Sequence, residues 1–132
     1  MIDSTTAAFV FGIFTVVGVI FQFALAMGAP WGEMTIGGKF PGRLPPKMRV
    51  AALVQLVLLV FIGLIVLTRA GIIFEGLFDF SKYAIWFVVA LCAVSAILNT
   101  ITPSKKERML WAPVTIILFI CAFVVAMSQT YG

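Results

Sequence analysis

The sequence predicts an all-α fold: a four-helix transmembrane bundle, N-out/C-out, with a long Gly/Pro-rich cytoplasmic loop between helices 1 and 2. Three observations carry this expectation. The chain has 132 residues, of which 63% are hydrophobic and only 11% charged, and its mean hydropathy is +1.19. A soluble domain is nearer half apolar and a quarter charged, and a small one buries only about two-thirds of its unfolded surface. Second, four apolar runs have the roughly 20-residue length that crosses about 30 Å of hydrocarbon as a helix. Third, lysine and arginine gather in alternate loops, which sets orientation.

The runs make one transmembrane domain over 1–132, with spans at about 7–27, 50–67, 83–101 and 110–127. The first follows an N-terminus without basic residues and is longer than a signal-peptide core, so a retained span is expected. Gly28 and Pro30 stop it. Pro45 and Pro46 precede the second, where proline in the first turn costs no hydrogen bond. Pro103 follows the third. Ser104 to Glu107, "SKKE", has capping-box spacing and starts the fourth helix ahead of the lipid, with Pro113 inside it and a kink expected there. Small residues four apart (Ala8/Gly12, Ala24/Gly28, Ala122/Ala126) are the expected helix contacts.

Lys39, Arg43, Lys47 and Arg49 lie in the first loop and Lys105, Lys106 and Arg108 in the third. In the second, Arg69 and Lys82 are offset by Glu75 and Asp79, and the N-terminal tail has Asp3 and no base. The positive-inside rule therefore places both termini outside and the first and third loops in the cytoplasm. Trp31, Trp86, Trp111, Tyr83 and Tyr131 fall where interfacial aromatics are expected. Phe74, Leu77, Phe78 and Phe80 suggest a segment lying in the outer headgroup layer.

Several function classes are excluded. The +4 charge lies between the apolar runs and not in a patch with stacking aromatics, so nucleic acid is no partner. Without histidine or a CxxC pair, no metal or cofactor is expected; Cys92 and Cys121 read as small apolar packing residues. "GEMTIGGK" imitates a phosphate loop but has Gly38 before Lys39 and Phe40 where Ser or Thr should hold magnesium. No charged residue sits mid-span, which argues against proton relays and charged-ring channels. No acid–base–nucleophile set is available, and an enzyme is not expected.

The spans instead contain uncharged polar side chains at similar depth. Counted from the cytoplasmic end at about 1.5 Å per residue, Gln22, Gln55 and Thr115 lie roughly 7–10 Å in, with Asn99 shallower. The outer half has Thr15, Thr68 and Ser128 but no amide. Either the inner side chains bond one another and lock the bundle, or they line a cavity open to the cytoplasm. Above them, "GAPWGEMTIGGKFPGRLPP" (28–46) exceeds the about 12–15 residues of ordinary loops. It reads as a stiff basic cap, with Lys39 and Arg43 meeting headgroups and Glu33 pairing with one of those bases.

"GAPWG" (28–32), the Gly37–Gly38 pair, "PGRLPP" (41–46) followed by Arg49, and "ERMLWAPV" (107–114) resemble a group of uncharacterised small bacterial four-span integral membrane proteins over the whole length. The resemblance implies a bacterial plasma membrane and brings no activity or site residue. The glycine/arginine signature of fluoride channels and the first-span glutamate of small multidrug transporters are missing.

The expected function is that of a non-enzymatic membrane protein with a cytoplasm-facing polar site for a small polar or amphipathic ligand, lipid-derived or transport-related in its variants. Gln22, Trp31, Glu33, Gln55 and Asn99 are the expected contacts: Trp31 stacks or anchors, Glu33 pairs with a base or a ligand cation, and the amides orient the ligand. The alternative is a small structural or interaction subunit of a larger membrane complex. The bilayer is a partner in both readings. A small ligand or lipid belongs to the first, and another membrane protein or a second copy of the chain to the second.

Overall fold

The structure, a computed structural model, describes residues 3–128, without the side chains of Glu75, Phe78 and Ser128. The interfacial role expected of Tyr131, and those assigned to the side chains of Glu75, Phe78 and Ser128, lie outside the described residues.

Four helices form: α1 (Ser4–Ala26), α2 (Pro46–Arg69), α3 (Phe78–Ile101) and α4 (Lys105–Ser128), and no strand occurs among the described residues. All four are long and apolar enough to cross a membrane. Each begins ahead of its expected apolar run, α1 and α4 behind polar side-chain caps. Asp3 Oδ1 accepts from the Thr6 N–H at 2.7 Å, satisfying an orphan donor of α1. That backbone bond holds the Asp3 carboxyl below its usual pKa. Pro46 supplies the first residue of α2. Ser104 Oγ accepts from the Glu107 N–H at 3.2 Å and caps α4, which continues through Pro113.

The helices pack in a square, α1 against α2 and α4, and α3 against α4 and, most sparsely, α2. Their outward stripes are apolar too: Phe9, Ile13, Val16, Ile20 and Phe23 are exposed along α1, at the three-and-four spacing of one helical face. In water such a face would need a cover; in lipid it is already solvated. Phe74, Leu77 and Phe80, beside a short 3-10 turn at Glu75–Leu77, are also exposed.

Both ends of the square have a core. Near the termini, Ala8, Phe11, Ile62, Val66, Ile85, Val88, Ala122 and Val125 close-pack. Near the α1–α2 and α3–α4 connections, Phe21, Leu25, Leu44 and Ala52 form a smaller cluster. The expected small-residue contacts need correction. Ala8, Ala122 and Ala126 are buried, but a Cβ at Gly12 would meet nothing within 4 Å. Close approach of α1 to α2 occurs instead at Gly18, where a Cβ would lie 3.2 Å from Leu59, and at Gly63, 3.3 Å from Thr15. Spacing within one helix does not say which face meets a neighbour.

Residues 27–45 connect α1 to α2 through 3-10 turns at Gly32–Met34 and Ile36–Gly38. Gly32 is where this segment folds on itself. Its N–H donates to the Gly42 carbonyl at 2.8 Å, and a Cβ there would lie 1.8 Å from the Phe40 carbonyl oxygen. Gly32→Ala is therefore expected to destabilise the protein by about 1–3 kcal/mol or more through backbone displacement. Gly12→Ala should be neutral or stabilising by up to about 1 kcal/mol. Thermal unfolding of both variants in detergent micelles measures the difference; equal midpoints would refute the packing described.

Candidate functional site

Between the two cores lies a cavity of about 430 Å³, within the roughly 300–1,000 Å³ range of small-molecule sites. Each helix gives it one stripe. Phe21, Gln22 and Leu25 come from α1, Ala52, Gln55 and Leu59 from α2, Ser95 and Asn99 from α3, and Trp111, Thr115 and Leu118 from α4. Residues three and four apart share a helical face, which is why these polar residues converge although their helices are distant in sequence. Gln22, Gln55, Asn99 and Thr115 thus border one space.

They do not lock to one another. Asn99 Nδ2 donates to the Ser95 carbonyl at 2.7 Å, and Thr115 Oγ1 donates to the Trp111 carbonyl at 2.7 Å. No hydrogen bond joins Gln22, Gln55, Asn99 and Thr115 together among the described residues. The first of the two readings of these side chains is therefore not the geometry found. Two glutamine amides, each with donor and acceptor capacity, border the cavity without a hydrogen bond to another described residue.

Trp31 and Glu33 stand elsewhere. The Trp31 ring stacks on Phe21, with centroids 6.0 Å apart and planes 9° apart, and it does not line the cavity. Glu33 pairs with Lys106 on α4 at 2.6 Å, not with Lys39 or Arg43 as the sequence suggested. Arg43 Nε donates to the Gly28 carbonyl at 3.0 Å instead. Trp111, expected at an interface, is half-buried and lines the cavity with its ring edge-on to Phe21 at 4.7 Å. Side-chain direction decided these placements, and linear position does not report it.

Glu107 is the residue that sequence reasoning assigned to the wrong task. A capping box would turn its carboxylate back to the Ser104 N–H. Here Ser104 N donates to Thr102 Oγ1 at 3.3 Å, and Glu107 Oε1 accepts from the Gly37 N–H at 3.1 Å and from Thr102 Oγ1. Ser104 Oγ donates to the Glu33 carbonyl. The 27–45 segment is thereby fastened to the α3–α4 connection, and Thr35, Ile36 and Leu44 cover the cavity. Ile36 takes φ +51°, a conformation costly for a β-branched residue and kept where packing over-determines it. Glu107 itself lines the cavity. No local signal in the sequence points to this contact, because every residue but proline carries a backbone N–H.

Compared with known proteins, the chain matches no family model, no curated protein and no solved structure. Its chemistry is read from the geometry alone.

Glu107→Ala removes the acceptor of two partly buried donors and is expected to cost about 1–3 kcal/mol. Glu33→Gln and Lys106→Ala break a pair whose side chains are 47% and 64% exposed, and should each cost under about 1 kcal/mol. Denaturant unfolding in micelles ranks the three; an ion-pair variant as damaging as Glu107→Ala would refute this division.

Proposed function

We propose that this chain is a non-enzymatic integral membrane protein of a bacterial plasma membrane that holds a small polar or amphipathic ligand in the cavity beneath the 27–45 segment. The observation that carries the proposal is the meeting of Gln22, Gln55 and Asn99 with the Glu107 carboxylate in one cavity walled by all four helices. A polar group inside a bilayer is costly unless something bonds it. Two amides facing a shared space are a ready site for a ligand that supplies those bonds. The contacts on this reading are Gln22, Gln55, Asn99, Thr115 and Glu107, while Trp31 and Glu33 act in the cover.

The same reading places the connection end of the bundle in the cytoplasm. Lys39, Arg43, Lys47, Arg49, Lys105, Lys106 and Arg108 belong to that end, as the positive-inside rule requires of a cytoplasmic face. A C-terminal alkaline phosphatase fusion is expected to be active and a C-terminal green fluorescent protein fusion dark; the reverse result would overturn the orientation.

Ligand binding is tested by native mass spectrometry of protein extracted in mild detergent. The wild-type chain should carry an added mass that Gln22→Leu/Gln55→Leu loses while keeping its helical circular dichroism. A chain of bare mass that co-purifies with one membrane protein in both forms would instead identify a subunit of a larger complex.

A further inference from the structure

The chemistry and the side opening of the cavity narrow the ligand class, an inference that rests on the ligand-site reading above. We infer that the ligand is an uncharged single-chain amphiphile with a hydroxyl-bearing head, of the monoacylglycerol or long-chain alcohol kind, entering from the bilayer between α2 and α3.

The opening comes first. Thr35, Ile36 and the buried Leu44 close the cavity at the connection end, and the core around Phe11, Val66 and Val88 closes the other. Along the side, Ala51 and Gln55 of α2 line the cavity yet are exposed, so the wall there is the surface of the bundle. Helical spacing turns that surface to the side away from Leu59 and Gly63, which meet α1, and toward α3, against which α2 packs less closely than against α1. The exposed residues next in sequence to the lining positions are apolar: Val54 beside Gln55 on α2, and Val94 and Leu98 beside Ser95 and Asn99 on α3. A solute arriving from water would cross hydrocarbon to reach this side, whereas an alkyl chain already lies in it.

The head group follows from the polar lining. Glutamine and asparagine amides each present a donor and an acceptor, which pair with hydroxyls in both directions. An anionic head would face the Glu107 carboxylate with no lysine or arginine among the described lining residues to offset it. The same carboxylate would attract a cation, and the tetraphenylphosphonium measurement below separates that case from a neutral head. With Oε1 already accepting from Gly37 N and Thr102 Oγ1, it is Oε2 that is left to accept from the hydroxyl of a neutral head. Beyond the hydroxyls of Thr35, Ser95 and Thr115, the rest of the wall, including Phe14, Leu58, Ile62, Leu91 and Leu118, is apolar and suits one chain.

Trp111 supplies the readout. With Trp31→Phe and Trp86→Phe it is the sole tryptophan of the three. This protein is reconstituted in phosphatidylcholine vesicles and titrated with a monoacylglycerol dibrominated in its chain, a contact quencher. Saturable quenching is expected, half-saturation rising about tenfold or more in Gln22→Leu/Gln55→Leu as the amide bonds to the head are lost. Brominated phosphatidylcholine should quench only in proportion to its mole fraction. Gln55→Leu alone, at an exposed position, keeps the test readable if the double variant does not fold.

Ala51→Phe should slow the approach to saturation, and an unchanged rate would overturn the entry route. A brominated fatty acid should bind weakly to the wild type and about tenfold more tightly to Glu107→Gln, which keeps an acceptor for Gly37 and Thr102 but removes the repulsion. No gain in that variant would overturn the charge argument. If the monoacylglycerol quenches no better than bulk lipid while tetraphenylphosphonium, followed by equilibrium dialysis, binds in a Gln22- and Gln55-dependent way, the ligand class is wrong and the site stands. If neither probe senses those glutamines and no added mass is found, the site reading falls as well.

Discussion

The connection end of this bundle depends on one carboxylate oxygen. Glu107 Oε1 accepts a hydrogen bond from the Gly37 backbone and another from the Thr102 hydroxyl, joining a segment between α1 and α2 to the turn between α3 and α4. Charge-assisted bonds of this kind are roughly twice as strong as neutral ones. The other ties are weaker: a neutral bond from Ser104 to the Glu33 carbonyl and an exposed ion pair between Glu33 and Lys106. Ile36 stays at its positive φ because the segment is held on both sides, packed into the cluster around Phe21 and Leu25 and fastened at Gly37. The cover over the cavity is thus a consequence of where that oxygen points.

The cavity itself follows from side-chain size and from the solvent. At the terminal end, Phe11, Val66, Ile85 and Val88 are buried together in one cluster. At the other end the lining includes Gly18, Ala51, Ala52 and Ser95, small residues on three helices, while Trp111 and Phe21 pack against each other on one side. In water, apolar surface around such a space would favour collapse. In lipid the hydrophobic drive between helices is absent, so small residues can leave volume open without a strong opposing force. Amides bordering that volume then meet a ligand, water or nothing, and the last costs most.

Much of the architecture is readable from the chain before any coordinates. Four apolar runs with proline and glycine between them predict four helices, and four helices long and apolar enough to cross a membrane are found among the described residues. The start of α4 at Lys105 follows the Ser104 cap that the sequence announces, while α3 begins at Phe78, five residues ahead of its expected apolar run, without a side-chain cap. The convergence of Gln22, Gln55, Asn99 and Thr115 was legible too, since a residue's depth in a span follows from counting along a helix of fixed rise. Whether these side chains would bond one another or border a space was not legible, because that depends on rotamers and on the size of the residues between them.

The sequence by itself determined the solvent, the number of helices, the gathering of positive charge in two connections and the depth at which polar groups occur. These are one-dimensional properties, set by hydropathy and by 1.5 Å of rise per residue or thereabouts. Tertiary structure decided which faces meet. It turned Trp111 into the cavity wall, left Trp31 and Glu33 off that wall and gave Glu33 to Lys106. It also turned Glu107 from a helix cap into the tie that holds the cover. Those outcomes depend on contacts between residues as many as 73 positions apart, and no local pattern encodes a partner at that distance.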